Sequence, residues 1–186
     1  MKLNHGILPA MAMVATIVCS PAQAASGTCS NATLKGAYGF EAHGQVLGIL
    51  DSSGVVHAFT TPQMLDDVAI VNFDGAGRFT RTDFGMIAGK PKGGQTAFNP
   101  DQNGYYTVNS DCTGTMKIVY TGAGTGVVLE LVMVVSDSST LVNAIITSEI
   151  VPAAAPTVDN TSCGTSCAEG VQVALTGKKV QTWPAP

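Results

Sequence analysis

Hydrophobic and polar positions are easiest to read between Tyr105 and Thr121. Tyr105 to Val108 is aromatic and β-branched, the make-up of a half-buried strand. Asn109, Ser110, Asp111 and Gly114 bring turn chemistry: side chains that hydrogen-bond nearby backbone, and a residue free to take φ > 0. Thr115 to Thr121 then alternates, with Met116, Ile118 and Tyr120 on one face and Lys117 and Val119 on the other. The pattern predicts a β-hairpin with Cys112 at its tip.

Similar segments lie on both sides. Leu34 to Phe40 opens a first strand, with Tyr38, Phe40 and Ala42 on one face and Glu41, His43 and Gln45 on the other. Gly48 to Gly54 reads as a turn, Val55 to Thr60 as a short strand, and Thr61-Pro62-Gln63 as its end. Val68 to Phe73 and Arg78 to Phe84 pair across Asp74-Gly75-Ala76-Gly77, a hairpin turn lacking the further acidic positions of a calcium loop. Gly85 to Asn103 is loop-rich. Gly122 to Gly126 lies between strands, with no helix behind it to make a phosphate loop. Val127 to Val135, Leu141 to Ile150 and Gly170 to Leu175 complete the strands, with a loop over Val151 to Ser162. About eight strands joined by short turns predict an all-β fold. The expected form is an antiparallel up-and-down barrel, which leaves no exposed edge, with a two-sheet sandwich as the alternative.

Composition agrees with a sheet protein: 21 glycines and only 12% charged residues suit turns and strands better than helical faces. The beginning of the chain reads as an export signal. Met1-Lys2 is its basic start, Ile7 to Val18 its apolar run, and Ala22-Gln23-Ala24 its small-x-small cleavage site. The expected organisation is a signal over residues 1–24 and a single domain over residues 25–186, secreted or periplasmic in a bacterium. Val18 is too bulky for a lipoprotein signal at Cys19, so no membrane anchor is expected. One of the nine Lys and Arg residues is Lys2, so the mature chain sets its eight basic residues against all 13 acidic ones. That balance makes nucleic acid an unsuitable partner.

Four cysteines remain after the signal: Cys29, Cys112, Cys163 and Cys167. An even number in an exported chain reads as two disulfides, with three connectivities open. Only Gly-Thr-Ser separates Cys163 from Cys167, so a local bridge is natural there, and Cys29–Cys112 follows. The spacing is one residue too long for a redox CxxC pair, and no neighbouring histidine or second cysteine pair supports a metal site.

Three stretches resemble a broad group of exported bacterial proteins with calycin-type barrels, similar to the allene oxide cyclase-like barrels. They are Cys29 with Leu34 to Phe40, then Phe73 to Gly77, then Gly104 to Thr115. They cover roughly the first half of the mature chain. The resemblance rests on turn glycines, a cysteine pair and strand aromatics, so it implies the fold and no catalytic motif.

No Gly-x-Ser-x-Gly elbow, HExxH helix or clustered His/Asp set occurs, so neither a metal nor another cofactor is expected. The polar candidates lie within strands. Glu130 interrupts the apolar run Val127 to Val135. A carboxylate there is either on an outer wall or buried, where it suits proton transfer or anchors a polar ligand group. Glu41 and His43 join it as candidate catalytic residues, and Arg81, Asn143 and Tyr38 are candidate ligand contacts. Arg81 and Asp83 share a face with Phe79, while Asn143, Thr147 and Glu149 share one with Leu141 and Ile145; for most of these the expected place is the solvated outer wall. Three functions fit. The first is binding of a small apolar molecule in the barrel, the second a cofactor-free isomerase or cyclase, the third a surface or matrix protein.

Overall fold

The computed structural model describes residues 28–181; residues 1–24, expected above to be an export signal, lie outside them. The described residues form nine strands: β1 (Lys35–Leu50), β2 (Val56–Asp74), β3 (Arg78–Ile87), β4 (Lys90–Pro91), β5 (Asn99–Val108), β6 (Thr113–Tyr120), β7 (Val128–Ser136), β8 (Leu141–Val151) and β9 (Cys167–Lys179). All pairings are antiparallel. Eight strands follow one another around the sheet in chain order, and β9 closes it against β1. Only the two-residue β4, paired with the end of β3, stands outside the ring. The fold is the closed up-and-down barrel that the strand pattern predicts, with no open edge to template pairing.

Alternation along each strand sorts side chains into an inner and an outer set. On β6, Met116, Ile118 and Tyr120 point inward; on β7, Leu129, Leu131, Met133 and Val135 do so. The inward residues form one continuous core from Leu34 to Leu175.

One end of the barrel is filled by aromatic rings. Phe73 lies edge-on to Tyr38 and Tyr106, with centroids 5.3 and 5.0 Å away, and tilted against Phe40 and Phe79. Two glycines make room for this packing. A Cβ on Gly177 would stand 2.3 Å from the Phe40 ring, and one on Gly104 would stand 2.5 Å from that of Phe79. A single 3-10 turn, Asn31–Thr33, covers this end. The Tyr106 hydroxyl lies 2.9 Å from the carbonyl oxygens of Asn31 and Leu34, and the Val108 amide donates to Asn31 Oδ1 at 2.8 Å. The Tyr38 hydroxyl donates to the Ser139 carbonyl. Buried polar atoms at this end therefore find backbone partners, as low-dielectric burial requires.

Two disulfides pin opposite ends. Cys29–Cys112 ties the segment before β1 to the tip of the β5–β6 hairpin, with Cα atoms 5.1 Å apart across 83 positions of sequence. Cys163–Cys167, with Cα atoms 5.3 Å apart, closes the approach to β9 at the other end. Both pairs are the ones the spacing favours, and both suit an oxidising, extracytoplasmic compartment.

Pro62 does not end a strand. The chain runs extended from Val56 to Asp74, and Pro62 sits where the pairing with β1 slips: Val46 opposes Gln63, whereas Gly48 opposes Ala58. Pairing with β3 begins only at Leu65. A residue without an N–H is tolerated there because no ladder bond is required of it.

Candidate functional site

The opposite half of the barrel is hollow. A cavity of about 630 Å³ is lined by inward residues of β1, β2, β3 and β6 to β9, and by the 92–100, 124–127 and 152–155 segments. Its wall combines apolar side chains, among them Ile118, Leu129, Ile146, Val173 and Leu175, with two separate groups of ionisable residues.

The first group is a buried ion network. Arg81 and Asp83 point inward from β3, Asp67 from β2 and Tyr120 from β6, and Lys92 reaches down from the 3-10 turn Lys92–Gly94. Arg81 Nη2 donates to Asp67 at 2.5 Å; Nη1 donates to Asp83 at 2.6 Å, and also to Gln102 and to the Tyr120 hydroxyl. Lys92 Nζ donates to Asp67 at 2.5 Å, to Asp83, and to the Tyr120 hydroxyl at 3.0 Å. Gln95 donates to Asp83 Oδ1 at 3.0 Å and accepts from the Gly85 amide. Burial pushes Asp83 up, but Arg81 and Lys92 outweigh it and hold the carboxyl well below the usual range. Burial likewise pushes Asp67 up, against the pull of Arg81 and Lys92. The two cations thus lie against the two aspartates and are bonded to them. The network clamps the Lys92 turn over the barrel rim.

The second group is Glu149 on β8 and Glu169 on β9, which are direct cross-strand partners. Both line the cavity, at 8% and 9% exposure, and no cation lies within ion-pair distance of either among the described residues. Glu149 Oε2 is buried without a hydrogen-bond partner among the described residues. Burial pushes Glu149 up to about 7, with weak opposition from Lys92. Burial pushes Glu169 up to about 8, and the neighbouring charge of Glu149 adds to it. Near neutrality burial keeps a proton within this pair, so a carboxyl there can donate a hydrogen bond as well as accept one.

A β-bulge turns Glu149 inward. On β8, Val142, Ala144 and Ile146 are buried, but past Ser148 the buried positions become Glu149 and Val151. Against β7, Glu130 opposes Ser148 while Leu131 opposes Ile146, so Thr147 is the extra residue. Its hydroxyl donates to the Glu130 carbonyl at 3.1 Å, satisfying an acceptor where the ladder skips. One added residue reverses the facing of all that follow. Unbroken parity places Glu149 outside with Asn143 and Ile145; the bulge overrules it. Glu169 carries a plainer signal, since it shares parity with Val173 and Leu175, but it precedes the Gly170 at which the alternation is expected to begin.

Of the candidate catalytic and ligand-contact residues chosen from sequence, Arg81 alone lines the cavity; Glu149, expected on the outer wall, lines it too. Tyr38 is fully buried at the aromatic end, away from the hollow. Glu130 faces solvent, because its even-numbered neighbours Val132 and Val134 form the outer face of β7, and it pairs across strands with Lys117 at 2.9 Å. Glu41 and His43 also lie on the outer wall, where His43 Nδ1 contacts Asp66 at 2.7 Å. Asn143 is exposed beside Thr176. The buried, unpaired carboxylate sought at Glu130 is found at Glu149. Among the described residues no group of three or more His, Cys, Asp or Glu side chains is placed to hold a metal ion.

The class that fold and site define is a closed eight-stranded barrel, stoppered by aromatics at one end and holding an amphiphilic chamber at the other. No protein-family model matches the chain, and no curated protein matches it significantly.

Proposed function

We propose that this is an exported binding protein that takes one small, largely apolar molecule into the chamber, and that its barrel is akin to the calycin type. The observation that carries this reading is the chamber itself. About 630 Å³ lies within the range of small-molecule pockets, and its apolar wall with few polar groups matches their usual make-up. The packing elsewhere in the barrel makes the hollow a local property of one end. Titration calorimetry with a panel of small amphiphiles tests the reading, comparing the native chain with Ala42→Leu, which projects into the chamber from β1. Saturable binding of one molecule per chain, weakened by the substitution, is expected. Absence of saturable binding, or binding that the substitution leaves intact, contradicts it.

A second reading is favoured by one observation: the paired carboxyls with their raised titration. One ionised and one protonated carboxyl beside an apolar pocket suit cofactor-free isomerisation or cyclisation, the first removing a proton and the second supplying one. In that case Glu149→Gln abolishes turnover of a bound substrate while binding persists.

A further inference from the structure

Charge bookkeeping inside the chamber narrows the ligand, provided the chamber takes one as proposed above. The ionisable groups that face it are Asp67 from β2, Arg81 from β3, Lys92 from the rim turn, Tyr120 from β6, Glu149 from β8 and Glu169 from β9. Both cations are bonded to Asp67 and Asp83. Among the described residues no cation bonds either glutamate, and Glu149 Oε2, on a side chain more than nine-tenths buried, has no partner. An unpaired buried carboxyl oxygen is costly, and a ligand that brings N–H donors and positive charge removes that cost. Carboxylate or phosphate ligands would instead crowd a further negative charge against the pair. A neutral alcohol supplies one donor and no charge. An ammonium supplies three donors, enough for both carboxyls at once. Ile146, Leu129 and Val173 line the same chamber and offer a hydrocarbon body an apolar bed.

We propose that the chamber binds an amphiphilic primary amine, with its ammonium group between Glu149 and Glu169 and its hydrocarbon portion along Ile146, Leu129 and Val173. Binding expels the protons that burial keeps on the two carboxyls, since both become charged partners of the ammonium. Affinity therefore strengthens as pH rises through the titration of the pair, and holds until the amine itself loses its proton at an ordinary value of about 10.

Three probes of equal chain length separate the possibilities: n-octylamine, 1-octanol and octanoate, each titrated calorimetrically into the native chain at about pH 6 and about pH 8.5. The expected result is octylamine at one per chain, bound at least about tenfold tighter than octanol at the higher pH, with octanoate weakest. Octylamine should also tighten between the lower and the higher pH, with proton release visible as a dependence of the heat on the buffer. In Glu149→Gln/Glu169→Gln the preference for octylamine over octanol should vanish while octanol binding remains. Octanol bound as tightly as octylamine by the native chain, octanoate preferred, or an amine preference that survives in the double variant overturns the assignment of the ligand and leaves the chamber as a binding site. Failure of all three probes to bind overturns the chamber reading as well.

Discussion

The half of the barrel around Phe73 and the half around Glu149 are built from the same strands, yet they bury opposite kinds of side chain. Around Phe73, five aromatic rings interlock, two glycines remove the side chains that would block them, and each tyrosine hydroxyl reaches a backbone carbonyl. Around Glu149, small and aliphatic residues leave a hollow, and charged groups line it. An aromatic ring fills far more volume than a valine, so the choice of inward residue decides whether an eight-stranded barrel is solid or hollow. Ring packing in the first half should contribute more to stability than the wall of the chamber, which is free to take up a ligand instead.

Removing ring packing from the solid half should have the largest effect. Phe73→Ala deletes a side chain in contact with four other rings, and urea unfolding should show a loss of about 4 kcal/mol. A similar substitution at the hollow half, Val173→Ala, should cost less than half as much, because its side chain already borders empty space. Equal losses would mean that the two halves do not differ in packing.

The two disulfides make the same contrast. Replacing Cys29 and Cys112 by serine releases a loop of 83 positions and should cost about 4 kcal/mol by chain entropy, whereas opening Cys163–Cys167 should cost about 2 kcal/mol. Thermal melts of the two double variants in parallel provide the check.

Much of the solid half is legible in the sequence, and much of the hollow half is not. Tyr38 and Phe40 share one face, as their parity predicts, and that face is the inner one; Arg81 likewise stays on one face with Phe79 and Asp83. Parity settles which residues share a face but not which face is inside; for Arg81 and Asp83, polarity points outward, and only the ion network with Asp67 and Lys92 makes burial tolerable. Those partners are distant in sequence, and Lys92 lies in a stretch without strand periodicity. Glu149 is hidden for a different reason. Its direction depends on the extra residue Thr147, and nothing in the alternation of Leu141 to Ile150 announces a bulge there. Glu130 misleads because apolar residues cover both faces of its strand, the outer valines half-exposed beside the Lys117–Glu130 pair.

The carboxyl pair should make stability fall as pH rises across the neutral range. In the folded chain Glu149 and Glu169 titrate near 7 and 8, above the ordinary 4.5. Between those values the folded form keeps protons that the unfolded chain has released. The contribution of the pair is therefore fully present below about 4.5 and is lost as pH rises through about 7 and 8. Glu149→Gln/Glu169→Gln should remove this slope and leave the variant more stable than the native chain at alkaline pH, by on the order of 2 kcal/mol. Urea midpoints of both proteins across the pH range decide it; parallel curves contradict the buried placement.

The smallest effect is expected on the outer wall. Glu130→Gln breaks only an exposed ion pair with Lys117 and should change stability by no more than about 0.5 kcal/mol. It should leave octylamine or octanol binding unaltered, whereas a loss of binding would return Glu130 to the site.

Methyl NMR during titration with octylamine, repeated with 1-octanol, tests the contrast between the halves most directly. A ligand in the chamber shifts the methyl resonances of Leu129, Ile146, Val173 and Leu175 and leaves those of Leu34, Val108 and Val142 at the solid end in place. Resonances that stay fixed throughout the chamber with both probes, or that move only at the outward-facing Val132, Val134 and Ile145, would contradict the account.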